Sequence, residues 1–133
     1  MSVFVDSSAL YAVLDRDDVN HPAAATTYES LLEHSTLLTH SYVALETTAL
    51  VQRRLGMEAA RALADDVLPA LDLVFVDEPL HRAAEASLLA AGRRDVSLVD
   101  WTSFELMRRL GVVEAFAFDD DFAEQGFSAV PTA

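Results

Sequence analysis

Four acidic residues fall where side chains can do chemistry: Asp6, Glu46, Asp100 and Asp119. Asp6 ends the apolar run Val3-Phe4-Val5 and is followed by Ser7-Ser8-Ala9-Leu10, while Asp119 ends Glu114-Ala115-Phe116-Ala117-Phe118 and opens the triplet Asp119-Asp120-Asp121. A short apolar run without alternation reads as a strand buried on both faces, as in a parallel sheet. An acid at the carboxyl end of such a strand lies on the edge where open α/β sheets bind ligands. Asp100 stands three residues after Ser97 at the head of an amphipathic segment, and Glu46 stands one turn into another. Each acid also has a purely structural reading. Asp6 or Ser7 can cap a helix, Ser97 with Asp100 resembles a capping box, the Asp triplet can form a solvated turn, and Glu46 can reach solvent from the edge of an apolar stripe.

The elements that must position these residues follow from periodicity and punctuation. Strands are expected at Val3–Val5, Thr36–Thr39, Leu73–Val76, Glu114–Phe118 and within Gly126–Val130, with Leu73–Val76 buried. Helices are expected over Ser8–Leu14, from an Asn20 cap with Pro22 in the first turn to His34, and over Ser41–Leu55 with Gly56 as terminator. Further helices are expected over Met57–Leu68, from Asp77-Glu78-Pro79 to Gly92, and from Ser97 to Leu110. In the Ser41–Leu55 helix, Tyr42, Leu45, Ala49 and Leu50 form the expected apolar side, with Glu46 on or beside it. Alternating strands and helices predict a three-layer α/β/α domain with a short, mostly parallel central sheet, filling residues 1–133 as one domain. In that architecture strand carboxyl ends and the amino ends of following helices share one edge, so all four acids reach one cleft.

Four carboxylates in one pocket repel each other, and without cations several would take up protons. Hard divalent ions with oxygen ligands relieve this, which points to Mg²⁺ or Mn²⁺. Such a pocket can lower the pKa of a bound water and stabilise in-line displacement at phosphorus, so hydrolysis of a phosphodiester is the reaction it explains best. No single carboxylate is assigned as general base.

Composition removes other chemistries. There is no Cys, which excludes disulfides, thiolate zinc sites and cysteine nucleophiles and points to an intracellular, cytoplasmic protein. No apolar run approaches the ~20 residues of a membrane span. His21, His34, His40 and His81 lack ligand spacing, and only His40 falls near the cleft. No Gly-rich run leads to Lys, and no Gly-x-Ser-x-Gly occurs. Receiver-type phosphoryl transfer needs a Lys the chain lacks, since all nine basic residues are Arg. The formal charge of −13 opposes a nucleic-acid partner unless bound cations reverse the local sign.

Val3-Phe4-Val5-Asp6-Ser7-Ser8-Ala9-Leu10, Glu46-Thr47-Thr48, Ser97-Leu98-Val99-Asp100-Trp101 and Ala117-Phe118-Asp119-Asp120-Asp121-Phe122 with Gly126-Phe127 together resemble the PIN domain, in particular the VapC-type toxins of toxin–antitoxin pairs. The resemblance implies a metal-dependent ribonuclease whose quartet is Asp6, Glu46, Asp100 and Asp119, with Ser8 as accessory polar residue and Asp121 as accessory acid. It also implies an RNA substrate, a homodimer and inhibition by a small cognate VapB-like antitoxin. The chain departs from many members in lacking Lys, so any grip on RNA falls to Arg and metal. Two readings stand beside the toxin: a housekeeping RNA-processing nuclease, and a catalytically silent interaction module that keeps the fold. Tyr28, Leu31 and Leu32 can serve either a dimer face or the core.

Overall fold

The computed structural model describes residues 1–132. In chain order its elements are β1 (Ser2–Val5), α1 (Ser7–Leu14), α2 (His21–His34), β2 (Thr36–His40), α3 (Ser41–Leu55), α4 (Met57–Ala62), β3 (Asp72–Val74), α5 (Glu78–Ala91), α6 (Leu98–Leu110), β4 (Glu114–Phe116), α7 (Asp121–Glu124) and β5 (Ser128–Val130). Val3, Phe4 and Val5 are fully buried because β1 is the central strand of a five-stranded, all-parallel sheet ordered β3-β2-β1-β4-β5.

That order decides where a ligand can sit. The chain steps from β1 outward through β2 to β3, then crosses back over the sheet through α5 and α6 to place β4 on the other side of β1. Right-handed crossovers therefore put α1 to α4 on one face and α5 and α6 on the other. Consistent with this, α1 packs on α2 and α3, and α5 packs on α6. The two halves diverge between the carboxyl ends of β1 and β4, the switch point at which open α/β sheets form a crevice. The register pairs Val5 with Phe116, and the Asp6 N–H donates to the Phe116 carbonyl at 3.0 Å, so β1 and β4 end together at its floor.

An aromatic cluster locks that floor. Phe4 of β1, Phe104 of α6 and Phe122 of α7 are fully buried. Their rings meet with centroids 5.9 Å apart for Phe4–Phe122 and 5.1 Å, edge to face, for Phe104–Phe122. Edge-to-face pairing adds to the area term that buried aromatics already supply.

Several expectations are corrected. The Leu73–Val76 strand is Asp72–Val74, and it is an edge strand rather than a buried one: Phe75 lies beyond it and is 75% exposed. The Met57–Leu68 helix is α-helical only to Ala62, after which Leu63–Val67 widens into a π turn and Leu68–Ala70 tightens into a 3₁₀ turn around Pro69. β4 stops at Phe116, leaving Ala117 and Phe118 as a connection to the acids. In α3 the buried stripe is Val43, Thr47 and Val51, whereas Leu45 is 70% exposed and Ala49 and Glu46 are also exposed. Asn20 precedes α2 but its side chain makes no capping hydrogen bond. Tyr28 and Leu31 pack against the core, while Leu32 is exposed.

Removing the buried ring in Phe122→Ala should cost about 3–5 kcal/mol of unfolding free energy. Phe75→Ser, at the exposed end of the edge strand, should stay within about 0.5 kcal/mol of wild type. Urea unfolding of the two variants checks both values, and a large loss from Phe75→Ser would contradict the edge position of β3.

Candidate metal centre

Asp6 is the N-cap of α1 and is 1% exposed. Its Oδ2 accepts the Ser8 N–H at 3.2 Å and the Ser8 hydroxyl at 2.6 Å. The capping reading of Asp6 is therefore correct, and it consumes only one oxygen. Oδ1 is buried and has no hydrogen-bond partner among the described residues. A buried, unpaired carboxylate oxygen is costly to leave alone.

The second acid is likewise a cap with an oxygen to spare. Ser97 and Asp100 form a complete capping box: the Ser97 hydroxyl accepts the Asp100 N–H at 3.2 Å, and Asp100 Oδ2 accepts the Ser97 N–H at 2.9 Å and its hydroxyl at 3.0 Å. Asp119, past the end of β4, accepts the Asp121 N–H on Oδ1 at 3.2 Å, starting α7. One carboxylate oxygen from each of Asp6, Asp100 and Asp119 lies within 4.8 Å of the other two.

Ser8 ties this assembly together. Its hydroxyl donates to Asp6 and accepts the Phe118 N–H at 3.0 Å, so one side chain joins the start of α1 to the residue before Asp119. Glu46 is exposed and outside the three-acid group; the Ser7 hydroxyl donates to its Oε1 at 2.7 Å, which holds it toward the same edge. From sequence Ser7 is a candidate only for the helix cap, a role that Asp6 takes; its bond to Glu46, 39 residues away, has no local signal. Asp121 also stands outside the group, in the first turn of α7. His40 does not line the cleft: it is fully buried, caps α3 by accepting the Tyr42 and Val43 N–H groups, and pairs its Nε2 with the Ser103 hydroxyl at 2.9 Å.

The electrostatics match a cluster awaiting positive charge. Burial, followed by the charge of Asp119, pushes the Asp6 carboxyl up to about 8, against the lowering effect of the Ser8 hydroxyl. Burial also raises Asp119, opposed by its contact with Asp6 and reinforced by Asp100. Asp121 is raised by burial and then by Asp119 and Asp100. Three converging carboxylates and an orphaned buried oxygen fit a hard divalent cation. A hollow of about 330 Å³ opens over Asp6, Ser7, Ser8 and Asp119, and Arg54 is the cation among its lining residues. The Arg54 guanidinium lies 5.7 Å from the centroid of the Tyr11 ring, and both residues line the hollow.

A parallel sheet whose switch point gathers three carboxylates defines an α/β protein with an acidic crevice at the carboxyl ends of its central strands. Its family follows from comparison with known proteins: the PIN domain family model matches residues 3–128, and the chain belongs to that family. It is 36% identical over 129 residues to the 23S rRNA-specific endonuclease VapC20 of Mycobacterium tuberculosis, covering 96% of this chain and 97% of the relative. The crystal structure of the Mycobacterium tuberculosis VapC20, described as a Sarcin-Ricin loop cleaving toxin, superposes with a TM-score of 0.86 at 33% identity over 94% of this chain and 95% of that one. VapBC2 from Rickettsia felis, solved with a promoter DNA fragment, shares the fold with a TM-score of 0.72 at 12% identity over 97% of both chains. No helix of the described residues is long and apolar enough to cross a membrane.

Raised carboxyl pKa values mean that the folded protein keeps protons the unfolded chain releases. That stability is complete at and below the ordinary 3.8 and is lost as pH rises through the folded value of about 8. His40 acts oppositely, because burial lowers it from 6.5 to about 4 and its contribution is lost only as pH falls below 6.5. Between pH 6.5 and 8 the acids therefore act alone of these two effects. The Tm of chelator-treated protein should fall across that window, Asp6→Asn should flatten the fall, and Mg²⁺ or Mn²⁺ should raise Tm most at its upper end. A wild-type Tm that holds level without metal would count against the cluster.

Proposed function

We propose that the chain is a divalent-metal-dependent endoribonuclease and the toxin of a toxin–antitoxin pair. The observation that carries this reading is the convergence of Asp6, Asp100 and Asp119, together with the unpaired, buried Oδ1 of Asp6. Family membership and the RNA endonuclease named among the relatives supply its support from comparison.

In this reading Asp6, Asp100 and Asp119 hold Mg²⁺ or Mn²⁺, and Glu46, steadied by Ser7, completes the quartet from the rim. When bound, such an ion supplies Lewis acidity at phosphorus and acidifies water in its shell. The residues supply the geometry. Ser8 fixes the Asp6 carboxylate and the Phe118 backbone together, the capping box holds Asp100 in one rotamer, and Asp121 adds negative charge beside Asp119. Arg54, which lines the same hollow, contacts a backbone phosphate of the substrate, the role to which a planar, always-charged guanidinium is suited. Ribosomal RNA is the first substrate to examine, because the 36%-identical relative is named for 23S rRNA. The inhibitor is a small cognate antitoxin of the VapB kind, and the working form is a homodimer, with Leu32 of α2 available to a partner face.

Purified protein incubated with ribosomal and transfer RNA should cut with Mg²⁺ or Mn²⁺ and not with chelator. Asp6→Asn, Glu46→Gln, Asp100→Asn and Asp119→Asn should each lower the rate by more than ~100-fold, whereas Ser7→Ala and Ser8→Ala, which only support ligands, should cost ~10–100-fold. Isosteric amides keep the capping acceptors at Asp6 and Asp100, so circular dichroism should stay unchanged. Cleavage that persists in chelator, or in Asp6→Asn, would overturn the reading. Arg54→Ala should raise KM about equally for all RNA sequences and reduce the salt slope of binding by about one, which a salt titration of RNA binding in Ca²⁺ measures.

A further inference from the structure

A second, larger hollow of about 530 Å³ adjoins the acids and differs in character. Its walls are Ala23 of α2, Ala117, Phe118, Ala123 of α7, Ala129 of β5 and Pro131. Four alanines leave space where larger side chains would have filled it. The two hollows share Asn20, Phe118 and Asp119, so they form one trough with the carboxylates at one end and an apolar recess at the other.

Asn20 stands at the junction with nothing to do. It holds the cap position of α2, yet its backbone is helical rather than extended, so its carboxamide makes no capping bond; its backbone N–H donates to Asp18 Oδ1 at 2.8 Å. A free carboxamide offers a donor and an acceptor side by side. Phe118 presents a partly exposed ring on the other side, held in place by its N–H bond to Ser8. Asp119 and Asp120 at the mouth repel a second phosphate, so the recess suits an uncharged group attached to a phosphodiester rather than the backbone itself. Unpaired RNA bases are taken up in this manner, stacked on an aromatic ring and hydrogen-bonded along one edge.

We propose that the recess lined by Ala23, Phe118 and Ala129 receives one unpaired nucleobase of the substrate, stacked on Phe118 with its edge against the Asn20 carboxamide. The inference rests on the nuclease reading for its substrate class, and it assigns Asn20 and Phe118 as specificity-determining residues. An apolar side chain from a protein partner would fit the walls equally, but would leave the Asn20 carboxamide unused.

The test titrates the isotopically labelled full chain with adenosine 5′-monophosphate in Ca²⁺, which needs no turnover. Adenine is the probe because its N6 and N7 match a carboxamide. Ribose 5-phosphate, which has the phosphate and no base, is the control. The nucleotide should shift the Asn20 side-chain amide and the backbone amides of Ala23 and Ala129, and ribose 5-phosphate should leave all three unmoved. Ala23→Leu fills the recess from an exposed position on α2 whose side chain is none of the three clustered carboxylates, and should weaken the nucleotide ~tenfold, the loss of about one stacked base, with ribose 5-phosphate unaffected. Shifts at those groups with both ligands or with neither, or undiminished nucleotide binding by Ala23→Leu, would overturn the proposal and leave the recess to a protein partner. Failure of the nuclease reading shows separately, as absence of metal-dependent cleavage by protein that still takes the base.

Discussion

Like charges do not gather in a buried crevice without a cause, and the repulsion among Asp6, Asp100 and Asp119 sets the terms for the structure around them. Each carboxylate is held by hydrogen bonds from its own neighbourhood: Ser8 for Asp6, Ser97 for Asp100, the Asp121 N–H for Asp119. These bonds are short-range and form with the local turn, so each carboxylate has an anchor of its own besides its contacts with the other acids. The long-range work falls to the sheet order, which brings strand ends more than a hundred residues apart to adjacent positions, and to the Phe4–Phe104–Phe122 cluster beneath. In the proposed function a divalent cation would meet carboxylates already in position, their preorganisation supplied by packing elsewhere.

The capping and ligand readings of the acids, which compete in the sequence, turn out to be compatible. A carboxylate has two oxygens, and Asp100 spends Oδ2 on the Ser97 cap while one oxygen still faces Asp6 and Asp119. Asp6 divides its oxygens in the same way. A helix start directs the side chain of its first residues along the edge of the sheet, so a cap at the switch point is already aimed into the crevice.

The alternation of buried strands and helices, and the acids at strand ends, were legible because both are local patterns. What was not legible depends on neighbours. Leu73–Val76 reads as buried, but β3 is at the edge of the sheet and ends at Val74, and Phe75 beyond it stands in solvent. The face of α3 was misjudged because Thr47 occupies its buried stripe while Leu45 points outward, an inversion of polarity that no periodicity count detects. Glu46 consequently belongs to the exposed side and reaches the site edge only through Ser7. Asn20 looks like a cap by type and position, and only the backbone geometry reveals that its side chain is unused.

The Ser8 hydroxyl, bonded at once to Asp6 and to the Phe118 N–H, spans 110 positions of sequence. A like separation divides Asp6 from Asp119, since β4 can dock beside β1 only after the crossovers through β2 and β3 are complete. An unfinished chain emerging during synthesis therefore carries the first acid without the last and has no assembled cluster. The crevice is thus a late product of synthesis: its three carboxylates come together only when nearly the whole domain has emerged.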